Sequence, residues 1–380
     1  MDETRIIELV VAYSRGDLTP RDAKELRGWL EDSPEHVRLF QDYIREYSRV
    51  RKLVFSGEIQ EEKAWISLRK RIHKKQINIY YRMAVAVCLL ACIVGGYLLL
   101  SPREEVYEVA DIHPGGVKAI WHTSSGEQIE LSDTTSFTFK EVDGTEVKKE
   151  SGNDFIYRQL PDNKSKSEMV FNTIQVPRAG EYAFSLPDGT RVWLNSETVL
   201  RFPLVFDTLS RTIYLEGEAY FDVVKDEKKP FLVVCGNRTV RVLGTKFNVS
   251  AYKEQEEMVT TLVEGSVLLA EGNSKRVLRP GEQGVLKQGI IEIKQVDVSV
   301  FTAWVHGIFE FEDMPLVKIT EQLERWYDVD FIYFDHSLEQ ITFTGTASRQ
   351  SNLSELLVMM EQLANVKFTL NENKIVVTHK

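Results

Sequence analysis

Seven histidines, three cysteines and scattered carboxylates are the groups in this 380-residue chain that could do chemistry. His36, His73, His113, His122, His306, His336 and His379 fall at no spacing that would gather them with a cysteine or an acid around a metal ion. Glu216, Glu218 and Asp188 could be paired carboxylates for acid and base work, but each stands beside a glycine in a step that belongs to turns. Cys88 and Cys92 lie four apart in an apolar run, where packing accounts for them, and Cys235 is left without an intrachain partner in the C-terminal part. These patterns point away from an enzyme and call for no cofactor and no metal. Binding is what remains, and the elements of the chain must present its surfaces.

One stretch divides the chain. In "RKRIHKKQINIYYRMAVAVCLLACIVGGYLLLSPREE" no charge occurs from Met83 to Leu100, and as a helix that run is roughly 27 Å long, close to the hydrocarbon thickness of a bilayer. Basic residues precede it and acids follow it, which predicts a single transmembrane helix over 83–102 with a cytoplasmic N-terminus. Charge follows the same division: residues 1–82 carry a net +3 and residues 101–380 a net −13, together the −10 of the chain. An acidic large domain argues against direct nucleic-acid binding.

Residues 1–82 read as four amphipathic helices. Thr4 to Arg15 is stopped by Gly16, Thr19-Pro20 and Ser33-Pro34 are start signals, and the fourth helix is placed around Glu61 to Ile79. Leu26, Trp29 and Leu30 form one apolar stripe, and Val37, Phe40, Ile44 and Tyr47 form another at helical spacing.

Beyond the apolar run the period becomes two. "EYAFSLPDGTRVWLNSETVLRFP", "RTIYLEGEAYFDVV" and "RTVRVLGTKFNVSAY" read as strands joined by glycine turns. Ala119, Ile120, Ile129 and Leu131 align with Ala183, Phe184, Val192 and Leu194 if one residue is inserted at the turn, and Leu215-Glu216-Gly217 echoes Val263-Glu264-Gly265. Such repetition predicts a β-rich, solenoid-like domain over 176–300, preceded at 103–175 by a linker and a first β repeat with a polar insert near 140–172. From residue 304 to 380 the pattern runs strand, helix, strand twice and closes on a hairpin, an α+β unit of βαβ-βαββ type. Its last strand is expected at a sheet edge able to accept a strand from another chain.

"SLPDGTRVWLNSETVLRFP", "YLEGEAYFDV", "VRVLGTKFNVSAY", "TTLVEGSV", "LRPGEQ" and "FEFEDMPLVKITEQLERWYDV", in that order, resemble the FecR-like transmembrane anti-sigma factors of the Bacteroidetes type. The resemblance implies that the N-terminal helices hold an extracytoplasmic-function sigma factor, with Leu26, Trp29, Leu30, Val37, Phe40, Ile44 and Tyr47 as candidate contacts. It implies a second partner, the N-terminal signalling domain of a TonB-dependent outer-membrane receptor, met at the closing hairpin through Phe368, Leu370, Ile375 and Val377. Release through intramembrane and periplasmic proteases, and residence in the bacterial inner membrane with the C-terminus in the periplasm, follow from the same likeness. A membrane-anchored periplasmic glycan-binding or scaffold protein is the alternative, with Trp121, Trp193 and Tyr220 as its sugar platform.

Overall fold

The computed structural model describes residues 2–55, 112–150, 155–158, 170–371 and 373–380. Three helices open the chain: α1 (Glu3–Arg15), α2 (Pro20–Glu31) and α3 (Pro34–Phe55). Asp2 caps α1, which ends where Gly16 turns to φ +76° and returns its N–H to the carbonyls of Ala12 and Tyr13. Thr19 caps α2 by accepting the Asp22 N–H at 3.2 Å, with Pro20 in the first turn. Ile6, Leu9, Val10, Leu26, Trp29, Leu30, Phe40 and Ile44 close into a separate small core. On the outside Arg5 clasps Glu25 at 2.8 Å and also pairs with Asp22, tying α1 to α2.

The β body begins with β1 (Gly116–Val117), β2 (Ala119–His122) and β3 (Gln128–Leu131), followed by a small antiparallel sheet of β4 (Phe137–Lys140), β5 (Glu146–Lys149) and β6 (Phe155–Arg158). Then come β7 (Phe171–Val176), β8 (Gly180–Ser185), β9 (Arg191–Leu194), β10 (Thr198–Pro203) and the long β11 (Arg211–Asp222). The remaining strands are β12 (Phe231–Cys235), β13 (Arg238–Val242), β14 (Lys246–Ala251), β15 (Glu257–Glu264), β16 (Val267–Glu271), β17 (Ser274–Leu278), β18 (Glu282–Lys287) and β19 (Ile290–Gln295).

The twelve residues of β11 belong to two sheets. Its first half lies between β10 and β12 in the order β17-β16-β13-β12-β11-β10-β7-β2-β3, and its second half pairs with β9 and β14, which lead to β8 and β1 on one side and to β15, β18 and β19 on the other. The bend falls at Gly217, φ +110°, where a Cβ would lie 2.5 Å from the Thr198 hydroxyl. Inner side chains of both sheets share one core, as in the contact of Phe184 on β8 with Phe202 on β10 at 5.5 Å between ring centroids.

Two expectations for this region change. The body is a two-layer sheet joined through one strand, not a stack of like coils. The insert expected near 140–172 as a flexible loop carries β5 and β6, which pair with β4 just ahead of it, and Phe137, Phe139 and Phe155 of this sheet surround Trp121 at 5.2, 5.6 and 5.7 Å. The repeated hairpin is present, with Ala119 opposite Leu131 and Tyr182 opposite Leu194. Ala119 and Trp121 therefore correspond to Tyr182 and Phe184, one residue away from the alignment read in the sequence, and no insertion is needed at the turn. Alternation decides this: Ala119, Trp121, Tyr182 and Phe184 all face the core.

After the short α4 (Val298–Thr302) the C-terminal domain runs β20 (Ile308–Pro315), α5 (Leu316–Tyr327), β21 (Asp330–Tyr333), β22 (Thr342–Ser348), α6 (Leu353–Leu363), β23 (Lys367–Asn371) and β24 (Lys374–Thr378). β20 pairs with β22, and the other three strands form a sheet in the order β21-β24-β23. The closing strand is thus central and not an edge. Leu316, Ile319, Leu323, Leu356, Leu357 and Met360 of the two helices pack on its inner face.

The expected fold class is corrected in its membrane component. Among the described residues no helix is long and apolar enough to cross a membrane. α3 is long enough at 22 residues but carries Arg38, Asp42, Arg45 and Glu46, charges whose burial in hydrocarbon would be costly. Met83 and Leu100, like the fourth helix expected at 61–79, lie outside the described residues. What the structure shows is a mostly β-sheet chain with several helices.

Candidate functional site

Two seams hold the parts of this chain together, and both involve the C-terminal domain. At the first, Arg178 between β7 and β8 donates to the Glu324 carbonyl at 2.9 Å and to the carboxylate of Asp330 at 3.0 Å. The Ala179 N–H adds a bond to the Arg325 carbonyl at 2.8 Å. Arg325 in turn lies over the Tyr252 ring at 4.1 Å, and the Tyr252 hydroxyl donates to the Ser196 carbonyl. Burial raises the Tyr252 phenol far above its ordinary value, so it stays neutral as a donor.

Deeper in the seam is Arg349, which follows β22 and is 2% exposed. Its guanidinium stacks over Trp326 at 3.8 Å and reaches across to Asn195 at 3.0 Å and Glu181 at 3.4 Å. Asn195 passes the contact on to Glu218 at 2.8 Å, Glu218 accepts from Asn248 at 2.8 Å, and Asn248 accepts from the Trp304 indole N–H at 3.3 Å. Desolvation pulls the Arg349 pKa down and pushes that of Glu181 up. A buried polar chain of this kind fixes one relative orientation of two bodies, because a shift would strand its members without partners.

The second seam joins the helical module to the C-terminal domain. Thr346 of β22 donates to the Ser14 carbonyl at 2.9 Å, both residues being buried. Gln41 donates to the Leu363 carbonyl at 3.2 Å, Gln362 to Glu31 at 3.3 Å, and Met359 of α6 enters the helical core.

Among the described residues no three His, Cys, Asp or Glu side chains are grouped to hold a metal ion. The cleft beside the first seam, about 640 Å³, is lined by Arg178, Glu197, Glu254, Lys318, Glu321 and Arg325 among others, an open and charged surface.

The family described as FecR protein matches residues 172–268, and FecR, C-terminal matches residues 308–377. Crystal structures at 1.65 and 2.50 Å of a "putative anti-sigma factor" from Parabacteroides distasonis ATCC 8503 resemble the chain at 32% identity and a TM-score of 0.51. Each likeness covers 55% of this chain and 99% of the solved one. The chain belongs to the FecR-like anti-sigma factor family. It is a regulator of the anti-sigma type, and its family implies a sigma factor as partner. No curated protein matches it.

In this FecR-like chain most of the residues expected at the sigma contact form the module's own interior. Leu26, Trp29, Leu30, Phe40 and Ile44 are buried, and Val37 and Tyr47 are half-buried. Trp29 stacks on His36 at 4.6 Å, and His36 Nδ1 lies 2.7 Å from the Trp29 carbonyl oxygen. Leu39 is the large apolar side chain that the described part of the module exposes.

Of the residues expected to meet a receptor, Phe368, Ile375 and Val377 are buried and Leu370 is half-buried, all facing α5 and α6. Both edges of that sheet are also partly sealed. The Phe331 N–H on β21 donates to Glu324 of α5 at 2.7 Å, and the Phe368 N–H on β23 donates to Glu361 of α6 at 2.7 Å. An incoming strand would need those two N–H groups. The sugar platform does not assemble, since Trp121 is 1% exposed under β4–β6. Sequence reasoning missed Arg349 and Arg178 altogether.

Proposed function

We propose that this anti-sigma factor sequesters an extracytoplasmic-function sigma factor with its helical module and gives it up when the C-terminal domain is engaged by the N-terminal signalling domain of a TonB-dependent outer-membrane receptor. The observation that carries the reading is a division within the fold. A helical module, its apolar core built from its own three helices together with Met359 of α6, precedes the β body and C-terminal domain, and the family matches fall on those two later parts. The module is the piece left to hold the sigma factor, and the C-terminal domain, with Phe334 85% and Ile332 45% exposed, offers a surface to receive a signal. Regulated proteolysis completes the cycle, since a cut between residues 55 and 112 severs the covalent link between the helical module and the rest of the chain. Residence at the bacterial inner membrane, with the start of the chain in the cytoplasm and its end in the periplasm, belongs to the same proposal.

Co-expression of the tagged full chain with the sigma factor encoded nearest its gene tests the first step. Co-purification of the pair and silence of a sigma-dependent reporter are expected; a reporter that runs at full rate in the presence of the chain rejects the reading. An immunoblot of the N-terminally tagged chain under inducing conditions tests the last step, and induction without a shortened fragment rules proteolysis out.

A further inference from the structure

The three-stranded sheet of the C-terminal domain has one face on α5 and α6 and one face open. The register sets out the open face in rows: Asp330, Lys374 and Asn371, then Ile332, Val376 and Thr369. A third row adds Thr378 and Lys367, and the next outward side chain past β21 is Phe334. Phe334 is 85% exposed and Ile332 45%, while their neighbours Phe331 and Tyr333 turn inward. An aromatic ring held in water at the end of a rigid strand, beside a second apolar side chain, is the makeup of an interface anchor.

We propose that this open face, centred on Phe334 and Ile332, takes an apolar patch rimmed by carboxylates on a folded partner protein, and that the partner is the receptor's signalling domain. The second clause rests on the reading given above. Charge argues for the occupant. The carboxylates at this face are already engaged, Asp330 by Arg178 at 3.0 Å and Asp335 by His379 at 3.2 Å. Lys374 stands exposed in the first row of the face and Lys367 in the third, the latter sharing its charge with Glu361 at 3.2 Å, in a chain whose net charge is −10. A partner that presents acids meets opposite charge here and like charge over much of the remaining surface. The sealed edges argue for a face. Glu324 and Glu361 occupy the N–H groups that strand addition would use, so a partner gains more from covering the open side than from extending the sheet.

The test uses the full chain in cells that respond to the receptor. Phe334→Ala is expected to lower receptor-dependent reporter induction at least tenfold while the unfolding midpoint stays within about 2 °C, because the ring packs on little. Lys374→Glu is expected to lower induction as well. A photo-crosslinking amino acid at position 334 should give an adduct that mass spectrometry identifies as the receptor's signalling domain, and the same group at exposed Val277 on β17 should not. Full induction by a folded Phe334→Ala chain, or an adduct with a second copy of this chain instead, overturns the proposal. Deletion of residues 308–377 separates the two levels. If that deletion abolishes induction and Phe334→Ala does not, the face is wrong and the receiving role stands; if induction survives the deletion, the receiving role itself fails.

Discussion

Arg349 shows what a single residue does here. It is buried, yet its charge is met by Glu181 and Asn195 across the seam and by the face of Trp326 on its own side. Replacement by alanine would leave Glu181 without its cation and remove the stacking, a loss of about 3 kcal/mol or more. Lysine would keep the charge but neither the planar stack nor the fork, so an intermediate loss of about 1–2 kcal/mol is expected. Thermal unfolding of the two variants checks the order, and an alanine variant as stable as the parent would show that the seam does not depend on this contact. In the sequence Arg349 sits in "SRQSN", which reads as a polar turn, and nothing local announces burial because its partners arrive from the β body. Gly217 and Gly265 were legible, since their repeated triplets mark bends. Their reason was not: Thr198 at the start of β10 and Thr245 just before β14 fill the space where a Cβ would stand and bond to the residue after each glycine.

At the scale of the element, the helical stripes were read correctly as apolar faces, but a face alone does not say whether it meets a partner or a sister helix. Here it meets sister helices. Trp29→Ala and Phe40→Ala should therefore each cost about 3–5 kcal/mol and unfold the module, seen as loss of helical circular dichroism together with loss of repression. Leu39→Asp, on the exposed face, should weaken the sigma factor's hold and leave the helices intact; full repression by that variant would move the contact elsewhere on the module. The C-terminal domain offers a parallel test through pH. Burial raises the pKa of Glu324 above its ordinary 4.5, so in the folded state the charged form is disfavoured. The stabilisation tied to its proton is complete below about pH 4.5 and is lost as the pH rises through the raised folded value. Glu324→Gln can still accept the Phe331 N–H, and its melting temperature should gain on the parent's between pH 4 and 7. A gap that stays constant over that range would mean that the carboxylate is not desolvated. The hairpins at 119–131 and 182–194 were likewise visible as repeats, while their register had to wait for the pairing, because a one-residue slip preserves composition and exchanges only the faces.

Taken as a whole, the molecule joins a helical module, a two-layer β body and an α+β domain, and their order along the chain was readable from the change of period from helical to alternating. Their mutual arrangement was not, because seams such as Arg349 to Asn195 or Thr346 to Ser14 link residues far apart in sequence. The second seam bears directly on the proposed localisation. Glu31 and Gln362 lie within a hydrogen bond of each other, 3.3 Å, at the exposed rim where α2 meets α6. In the proposed compartments the same two residues would stand on opposite sides of the membrane. Cysteines at positions 31 and 362, in a chain whose Cys88, Cys92 and Cys235 are replaced by serine, make the arrangement measurable. A short bifunctional thiol reagent should link them within the purified full chain and shift its mobility on a gel; if no link forms, the helical module does not dock on α6. In intact cells the proposed placement predicts no link within one chain. A link formed there at the yield of the purified protein would put both ends in one compartment, and the signal would then pass from the C-terminal domain to the sigma-binding helices by direct contact.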